Sequence, residues 1–280
     1  REVEVLLDGG AYADDSPGVL GYSLFMSCGP YRFRHMKAAG TLVYTNKLRF
    51  GAFRGFGNPQ VSFAGEQQID EIAARLDLDP LEMRANNMLR PGDKWFGGAE
   101  IASNGLAECI ERVKAASAWG KRKELPSKPG RRRALGAACT AHISGLLATG
   151  AIVRMLEDGS IVLNTGAVDI GQGSDTALTQ ICAEMLKVPV ERVHLASPDT
   201  DGSPYNWGTT ASRVTYTTGR AVVAAAREVE RKIKEHASEM LECDTVDLEL
   251  KPGGKVGLVG VPDRGVTFFE VSARAHWAKG

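Results

Sequence analysis

From Glu2 to Leu7 polar and apolar residues alternate, and the run stops at Asp8-Gly9-Gly10, which predicts a half-buried strand ending in a turn. A second strand is predicted over Gly40 to Thr45. From Gln60 to Leu76 the positions Val61, Ala64, Ile69, Ile72, Ala73 and Leu76 fall near helical spacing, and Asp79-Pro80 then predicts the start of another helix, Leu81 to Leu89. A third helix is expected over Leu106 to Ala116. Ser117 to Arg133 is polar, basic and punctuated by Pro126, Pro129 and Gly130, the composition of a connection between lobes.

The pattern becomes regular again in the second half. Strands are predicted at Gly150 to Met155 and Ser160 to Thr165, joined as a hairpin across Glu157-Asp158-Gly159-Ser160. A helix over Thr176 to Leu186 and a strand over Arg192 to Ala196 follow, then a long loop from Ser197 to Thr210 and a long helix from about Ser212 to Leu241. Leu248 to Lys251 and Lys255 to Leu258 read as a hairpin around Pro252-Gly253-Gly254, and a final helix covers Phe268 to Ala278. Strands and helices are interspersed without strict βαβ alternation, so the expected class is α+β, in two lobes of mixed sheets with flanking helices, residues 1–127 and 128–280.

Composition narrows the function classes. The 280 residues suffice for two ordinary domains, and 34 basic residues balance 34 acidic ones, with no like-charge block longer than Arg131-Arg132-Arg133. No nucleic-acid footprint is visible. No apolar run approaches the ~20 residues that cross a bilayer, and Arg1-Glu2-Val3-Glu4-Val5 is a strand pattern and not a signal peptide, so a soluble, cytoplasmic protein is expected. Cys28, Cys109, Cys139, Cys182 and Cys243 lie far apart without zinc or iron–sulfur spacing and are expected to be mostly reduced core residues. The chain lacks an initiator methionine and opens inside a strand pattern, which suggests a piece or subunit of something longer.

Three glycine-rich corners carry the candidate chemistry. In "GAFRGFGNPQ", Gly51 to Gln60, three glycines let backbone approach a partner closely while Arg54 offers a rigid, permanently charged fork; the alternative is a turn whose arginine pairs with a structural carboxylate and whose phenylalanines are core. In "VDIGQGSDTALTQ", Val168 to Gln180, Gly171-Gln172-Gly173 joins a strand region to a helix start. Free N–H groups there and the Gln172 amide would suit oxygen-rich or anionic groups, unless the pair is only a loop capped by Ser174 or Asp175. Thr176 stands where a dinucleotide fingerprint needs its third glycine. The third corner, "NWGTTASRVTYTTG", Asn206 to Gly219, gathers seven hydroxyls at a loop-to-helix junction, which suits a phosphate or a polar ring edge, or simply a solvated cap.

Hydrolytic sets are missing: the five histidines form no H-E-x-x-H pattern, and no G-x-S-x-G elbow occurs. His142 and His194 read as core or surface histidines and His236 as a polar helix position. Phe268, Phe269 and Trp277 read as packing residues.

The order "GAFRGFGNPQ", "RANNMLRPGD", "LEDGSIVLNTGAVDIGQGSDT", "GTTASR" resembles the molybdopterin-binding large subunit of the molybdenum hydroxylases, the xanthine dehydrogenase and aldehyde oxidase family, from about Glu2 to about Ala226. The resemblance implies that Arg54 faces or polarises the substrate, that Phe56 stacks on it, and that Phe53 and Gly55 line the cofactor. It further implies that Gln172 holds the pterin and the metal's oxo face between Gly171 and Gly173, and that Thr210, Ala211 and Ser212 bind pterin and phosphate. No side chain is assigned as a metal ligand. All three bends would then meet at one molybdopterin, with the cytosine dinucleotide form among its alternatives.

The implied reaction is oxidative hydroxylation: a metal-bound hydroxide derived from water attacks an electron-poor carbon, hydride passes to a metal sulfide, and electrons leave through iron–sulfur centres to FAD on partner subunits or domains. Two departures stand out. The family's general-base glutamate, in a Gly-Glu element near the carboxyl end, has no counterpart here, since Gly65-Glu66 lies inside a helical pattern; the chain alone is therefore expected to be inactive. Where xanthine enzymes carry an arginine, the chain reads Gly18 to Met26 without a basic residue, and Thr140-Ala141-His142 replaces a second stacking phenylalanine. Nitrogen heterocycles, aryl thioesters or aldehydes fit better than purines. A metal-free scaffold or maturation paralogue, and a phosphate- or nucleotide-binding module, are the other readings.

Overall fold

A computed structural model describes residues 1–126 and 128–277, and the chain forms two compact units, Arg1–His142 and Ile143–Gly280. In the first, β1 (Glu2–Gly10) pairs in parallel with β2 (Lys37–Tyr44), Glu2 opposite Lys37 and Asp8 opposite Val43. Parallel strands need a crossover, and α1 (Ser16–Met26) supplies it. The periodicity does not announce this helix, because Gly18 and Gly21 interrupt it and apolar residues lie on all sides. Three further helices follow, α2 (Asn58–Arg75), α3 (Pro80–Asn87) and α4 (Leu106–Ala116). The carboxylate of Asp79 caps α3 by accepting from the N–H groups of Leu81 at 2.9 Å and Glu82 at 3.3 Å.

The polar stretch after α4 is not a free connection. Residues Trp119–Glu124 form a 3-10 turn that buries Trp119, whose indole N–H donates to Asp79 at 2.9 Å while Arg122 stacks on its ring and pairs with the same carboxylate at 2.9 Å. Ser127, at the expected lobe boundary, lies outside the described residues. Residues 131–142 belong to the first unit, held there by a buried cluster. Glu66 accepts from Tyr31 Oη at 2.6 Å, from Arg84 Nε at 2.8 Å and from the Cys139 backbone N–H at 2.7 Å, and Arg84 also bonds Asp70 at 2.7 Å. Arg84 is fully buried. Burial opposes its charge, yet the bonds from Asp70 and Glu66 leave its pKa raised. Burial, reinforced by Glu66, pushes the Tyr31 phenol up as well.

The end of β1 has a pH signature. Asp8 accepts from Thr45 Oγ1 at 2.7 Å, Lys47 Nζ at 2.9 Å and the Gly10 N–H at 2.9 Å, and these bonds, Thr45 first, bring its carboxyl from 3.8 down to about 2. A carboxyl depressed on folding stabilises the native state above its unfolded value and loses that contribution as pH falls through the folded one. The difference in Tm between the native chain and Asp8→Asn is therefore expected to be constant above about pH 4 and to shrink from there to about pH 2. A difference independent of pH in calorimetric scans would contradict this.

In the second unit β3 (Ala151–Met155) and β4 (Ile161–Thr165) form the expected antiparallel hairpin, and β5 (Val193–Leu195) adds in parallel to β4. A second sheet pairs β6 (Leu248–Lys251), β7 (Lys255–Leu258) and β8 (Gly265–Thr267) antiparallel. Helices α5 (Ser174–Leu186), α6 (Gly219–Leu241) and α7 (Phe268–Trp277) complete the α+β unit. Its core joins Ile161 and Leu163 of β4, Leu178 and Cys182 of α5, and Val222, Ala226 and Ile233 of α6. The opposite face of α6 carries intrahelical ion pairs such as Arg231 to Glu235.

Two expectations need correction, and a third, that the cysteines are mostly reduced core residues, agrees with the structure. Helix α6 starts at Gly219 and not near Ser212, because Ala211 and Ser212 both take a left-handed backbone (φ 49°) and Val214–Thr218 form a π turn. In α7 only Phe268 packs in the core; Phe269 and Trp277 are exposed, and Ala278 lies outside the described residues. The cysteines are all free, three of them buried, while Cys243 is half-buried and Cys109 exposed.

Candidate functional site

The first corner is a tight turn between β2 and α2. Phe53 C=O accepts the Phe56 N–H at 2.8 Å and Gly55 C=O accepts the Asn58 N–H at 3.0 Å, with Gly55, Phe56 and Gly57 in succession at positive φ (97°, 51° and 92°). Gly57 is required, since a Cβ there would lie 2.7 Å from the Val19 carbonyl oxygen on α1. Phe56 holds a left-handed conformation that bulky residues avoid, the kind of local strain a framework must impose. That framework includes Asn58, whose Nδ2 donates to Ala141 C=O at 2.8 Å and whose Oδ1 accepts from Ser62 at 2.8 Å.

The turn directs its side chains outward. Phe53 is 85% exposed, so the two phenylalanines are not both core, and Arg54 is exposed and engages no hydrogen bond or ion pair among the described residues. Phe56 is half-buried, its ring meeting the Tyr22 ring edge-to-face at 6.0 Å; Tyr22 in turn meets the His142 ring at 5.4 Å. His142 is therefore neither core nor unattached: its Nδ1 lies 3.2 Å from Asn58 Nδ2 and 3.4 Å from Tyr22 Oη.

The second and third corners both lie in the second unit. Gly171 and Gly173 have positive φ (100° and 81°), and a Cβ on either would meet no atom within 4 Å, so the backbone of this loop faces open space. The first turn of α5 is not free, however, and neither Ser174 nor Asp175 caps it. Asp169 reaches in, accepting from the Gly171 N–H at 2.7 Å and the Asp175 N–H at 3.2 Å, and these bonds, Gly171 first, lower its pKa. The Gln172 amide folds back on the same loop: Oε1 accepts the Ile170 N–H at 2.7 Å, and Nε2 donates to Ser174 Oγ at 2.8 Å and Val168 C=O at 3.3 Å. One acceptor lone pair of Oε1 is uncommitted; the bonds to Ile170 and Val168 are at the surface, where exchange for a ligand costs little, while the bond to the buried Ser174 is part-buried.

Thr209 clasps this loop to the third corner, since its Oγ1 donates to Val168 C=O at 2.7 Å and accepts the Val168 N–H at 3.2 Å. Next to the clasp, the N–H groups of Ala211 and Ser212 and the hydroxyls of Thr210 and Ser212 engage no partner among the described residues. Arg213 follows, fully buried. Its guanidinium donates to the carbonyls of Leu146, Leu147, Ala148 and Gly208 and to Asn206 Oδ1, all at 2.9–3.0 Å, so every donor is used on a neutral oxygen and no carboxylate balances the charge. Val168, Ile170, Trp207 and Tyr216 border the corner as exposed apolar and aromatic residues.

The structure thus gathers Phe53, Arg54, Gly55 and Phe56 in one bend of the first unit, and joins Gly171, Gln172 and Gly173 to Thr210, Ala211 and Ser212 in the second. Sequence reasoning passed over Asp169, Asn58 and Arg213. Asp169 had a signal, an Asp two residues before a glycine, which favours an Asx turn; a buried arginine cannot be told from a surface one by its neighbours in sequence.

Comparison with known proteins identifies the family. Models described as molybdopterin cofactor-binding domains match residues 1–88 and 112–280. The xanthine dehydrogenase molybdenum-binding subunit of Escherichia coli O157:H7 is 40% identical over 219 residues, 75% of this chain and 29% of that protein. The gamma subunit of the 6-hydroxypseudooxynicotine dehydrogenase complex of Paenarthrobacter nicotinovorans is 31% identical over 284 residues, 96% of this chain and 35% of that one. Quinoline 2-oxidoreductase from Pseudomonas putida 86 superposes with a TM-score of 0.84 at 27% identity, covering 98% of this chain and 37% of its own. The chain spans about a third of the length of such relatives. It belongs to the molybdopterin cofactor-binding domain family, and with it to the molybdenum hydroxylases.

Proposed function

We propose that the chain is the part of a molybdenum hydroxylase's large subunit that binds molybdopterin and faces the substrate, an aromatic heterocycle, aryl thioester or aldehyde. The observation that carries the reading is the donor set at Thr210–Ser212: two backbone N–H groups and two hydroxyls without partners, beside a buried arginine that no carboxylate neutralises. A phosphate-bearing pterin fits such donors. The occupied first turn of α5 argues against a second anion there, so the Gly171-Gln172-Gly173 loop offers close backbone approach and one amide, with Asp169 keeping the loop in shape.

The molybdenum centre, when bound, supplies the oxidising power and delivers an oxygen atom drawn from water. This chain's own residues bind and orient. Phe56 presents a ring edge and face to a planar substrate, Phe53 and Gly55 line the cofactor side of the turn, and the unpaired guanidinium of Arg54 donates to the substrate oxygen or nitrogen on which negative charge develops. Gln172, whose Nε2 now donates to Ser174, would offer its amide to the cofactor. The general base lies on the rest of the subunit, so this chain by itself turns nothing over. Iron–sulfur and FAD partners accept the electrons, the pterin takes the cytosine dinucleotide form, and the assembly works in the cytoplasm; among the described residues no helix is long and apolar enough to cross a membrane.

Molybdenum and pterin content of the full-length protein, produced with its maturation machinery, tests this. Stoichiometric metal with released pterin is expected, and a correctly matured complex without molybdenum would favour the scaffold paralogue.

A further inference from the structure

We infer that Arg213 is the fixed counter-charge of the Thr210–Ser212 donor set, a positioning residue whose buried charge steadies the phosphate of the bound cofactor without bonding to it. The inference rests on the proposed reading that these donors take that phosphate, and it adds the residue that decides how firmly the phosphate is kept.

A buried cation is costly unless something balances its charge. All five N–H groups of Arg213 are spent on neutral oxygens: Nε on Leu146 C=O, Nη1 on Gly208 C=O and Asn206 Oδ1, and Nη2 on the carbonyls of Leu147 and Ala148. These bonds satisfy the donors and leave the net charge in place, in a side chain with no exposed surface. No carboxylate among the described residues pairs with it. Arg84, the other arginine buried this completely, is balanced by both Glu66 and Asp70. The contrast shows that the fold supplies carboxylates to a buried arginine elsewhere and withholds them beside the donor set.

The same residue shapes the donors. Ala211 and Ser212 are consecutive left-handed residues (φ 49° each), and so are Leu146 and Leu147 (72° and 69°); no other non-glycine residues of the described chain adopt this backbone in succession. Such a conformation is unfavourable for a residue with a Cβ and persists only where its surroundings impose it. Arg213 bonds both carbonyls of the leucine pair, and it bonds Gly208 just ahead of the donor set. Gly145 N–H donates to Ala211 C=O at 3.1 Å, and Arg213 N–H donates to Thr210 C=O at 3.0 Å. The carbonyls of Thr210 and Ala211 are thereby committed to the protein, while the neighbouring N–H groups and hydroxyls are not. Donors without acceptors, next to an unbalanced positive charge, suit a multiply charged anion.

Asn206→Asp tests this in the full-length subunit produced with its maturation machinery. The change is isosteric and puts a carboxylate against Nη1, where a neutral oxygen now lies at 3.0 Å. The hydroxyls of Thr149 and Thr218, which face the Asn206 amide nitrogen, can donate to the oxygen that replaces it. Tm is expected to hold or rise, because the buried charge gains a partner, while the half-life of pterin release shortens roughly ten- to a hundredfold. An arginine with a structural role alone would not separate the two readouts. Arg213→Lys, which keeps the charge, should retain the cofactor longer than Arg213→Gln, which keeps only donors; this comparison decides the matter if Asn206→Asp does not assemble. In the full-length chain purified without pterin, inorganic pyrophosphate at matched ionic strength should give saturable heat, and its affinity should be roughly tenfold weaker in Asn206→Asp. Wild-type retention in Asn206→Asp, equal retention in the Lys and Gln variants, or a native chain silent to pyrophosphate would overturn the inference. Weaker pyrophosphate binding in Asn206→Asp, with no pterin in the matured native protein, would uphold the charge assignment and sink the proposed function, so the two failures are distinguishable.

Discussion

Glu66→Ala is expected to lower the stability of the first unit by about 3–5 kcal/mol, a loss comparable to a large share of a domain's total. The substitution strands three groups at once: the buried Arg84 guanidinium, the Tyr31 hydroxyl and the Cys139 N–H. Asp70 would still pair with Arg84, but its side chain is 48% exposed and serves only one nitrogen. The melting transition should fall by roughly 6–20 °C. A second readout follows from geometry. Cys139 is buried because Glu66 ties its backbone down, so its thiol, which burial keeps above the ordinary value, should become reactive to a thiol reagent in Glu66→Ala but not in Glu71→Ala. An unchanged melting temperature would show that the ion pair is neutral to folding, as some buried pairs are when replaced whole.

Arg54→Ala in the complete enzyme should reduce kcat/KM by roughly a hundred- to a thousandfold while leaving the fold intact. No bond among the described residues depends on Arg54, so a structural explanation for such a loss is excluded in advance. Arg54→Lys should restore little, since a point charge replaces a planar fork. Gln172→Ala should cost a similar factor, yet here the side chain also closes its own loop through Ile170, Ser174 and Val168. Amide exchange across residues 168–175 separates the two effects: faster exchange with normal turnover would make Gln172 a loop residue only. Wild-type kcat in either variant would remove that residue from the site.

The elements legible in the sequence were those whose pattern is local. The β3–β4 hairpin, α4 and the Asp79 cap of α3 follow from alternation, helical spacing and turn residues within a short window. What stayed hidden depended on distant partners. Helix α1 has no polar face to reveal it and exists because β1 and β2 pair in parallel. The stretch from Ser117 to Arg133 looks like linker because the carboxylate that holds Trp119, that of Asp79, lies 40 positions earlier in the chain. At the site, both glycine corners and the Arg54 turn were legible as bends, and the Asp169–Gly171 signal of an Asx turn was local but passed over, while the Thr209 to Val168 bonds, between positions 41 apart, had no local signal at all.

That last pair of bonds has a mechanical consequence. A strand-following loop and a helix-leading loop that share one threonine cannot shift separately, so whatever stiffens either one stiffens its neighbour. An elongated molecule touching both would bind its second end to a surface already ordered by the first. Trimming such a molecule at one end should therefore cost more affinity than the contacts removed, and Thr209→Val, which keeps the bulk and loses the bonds, should make the two ends independent.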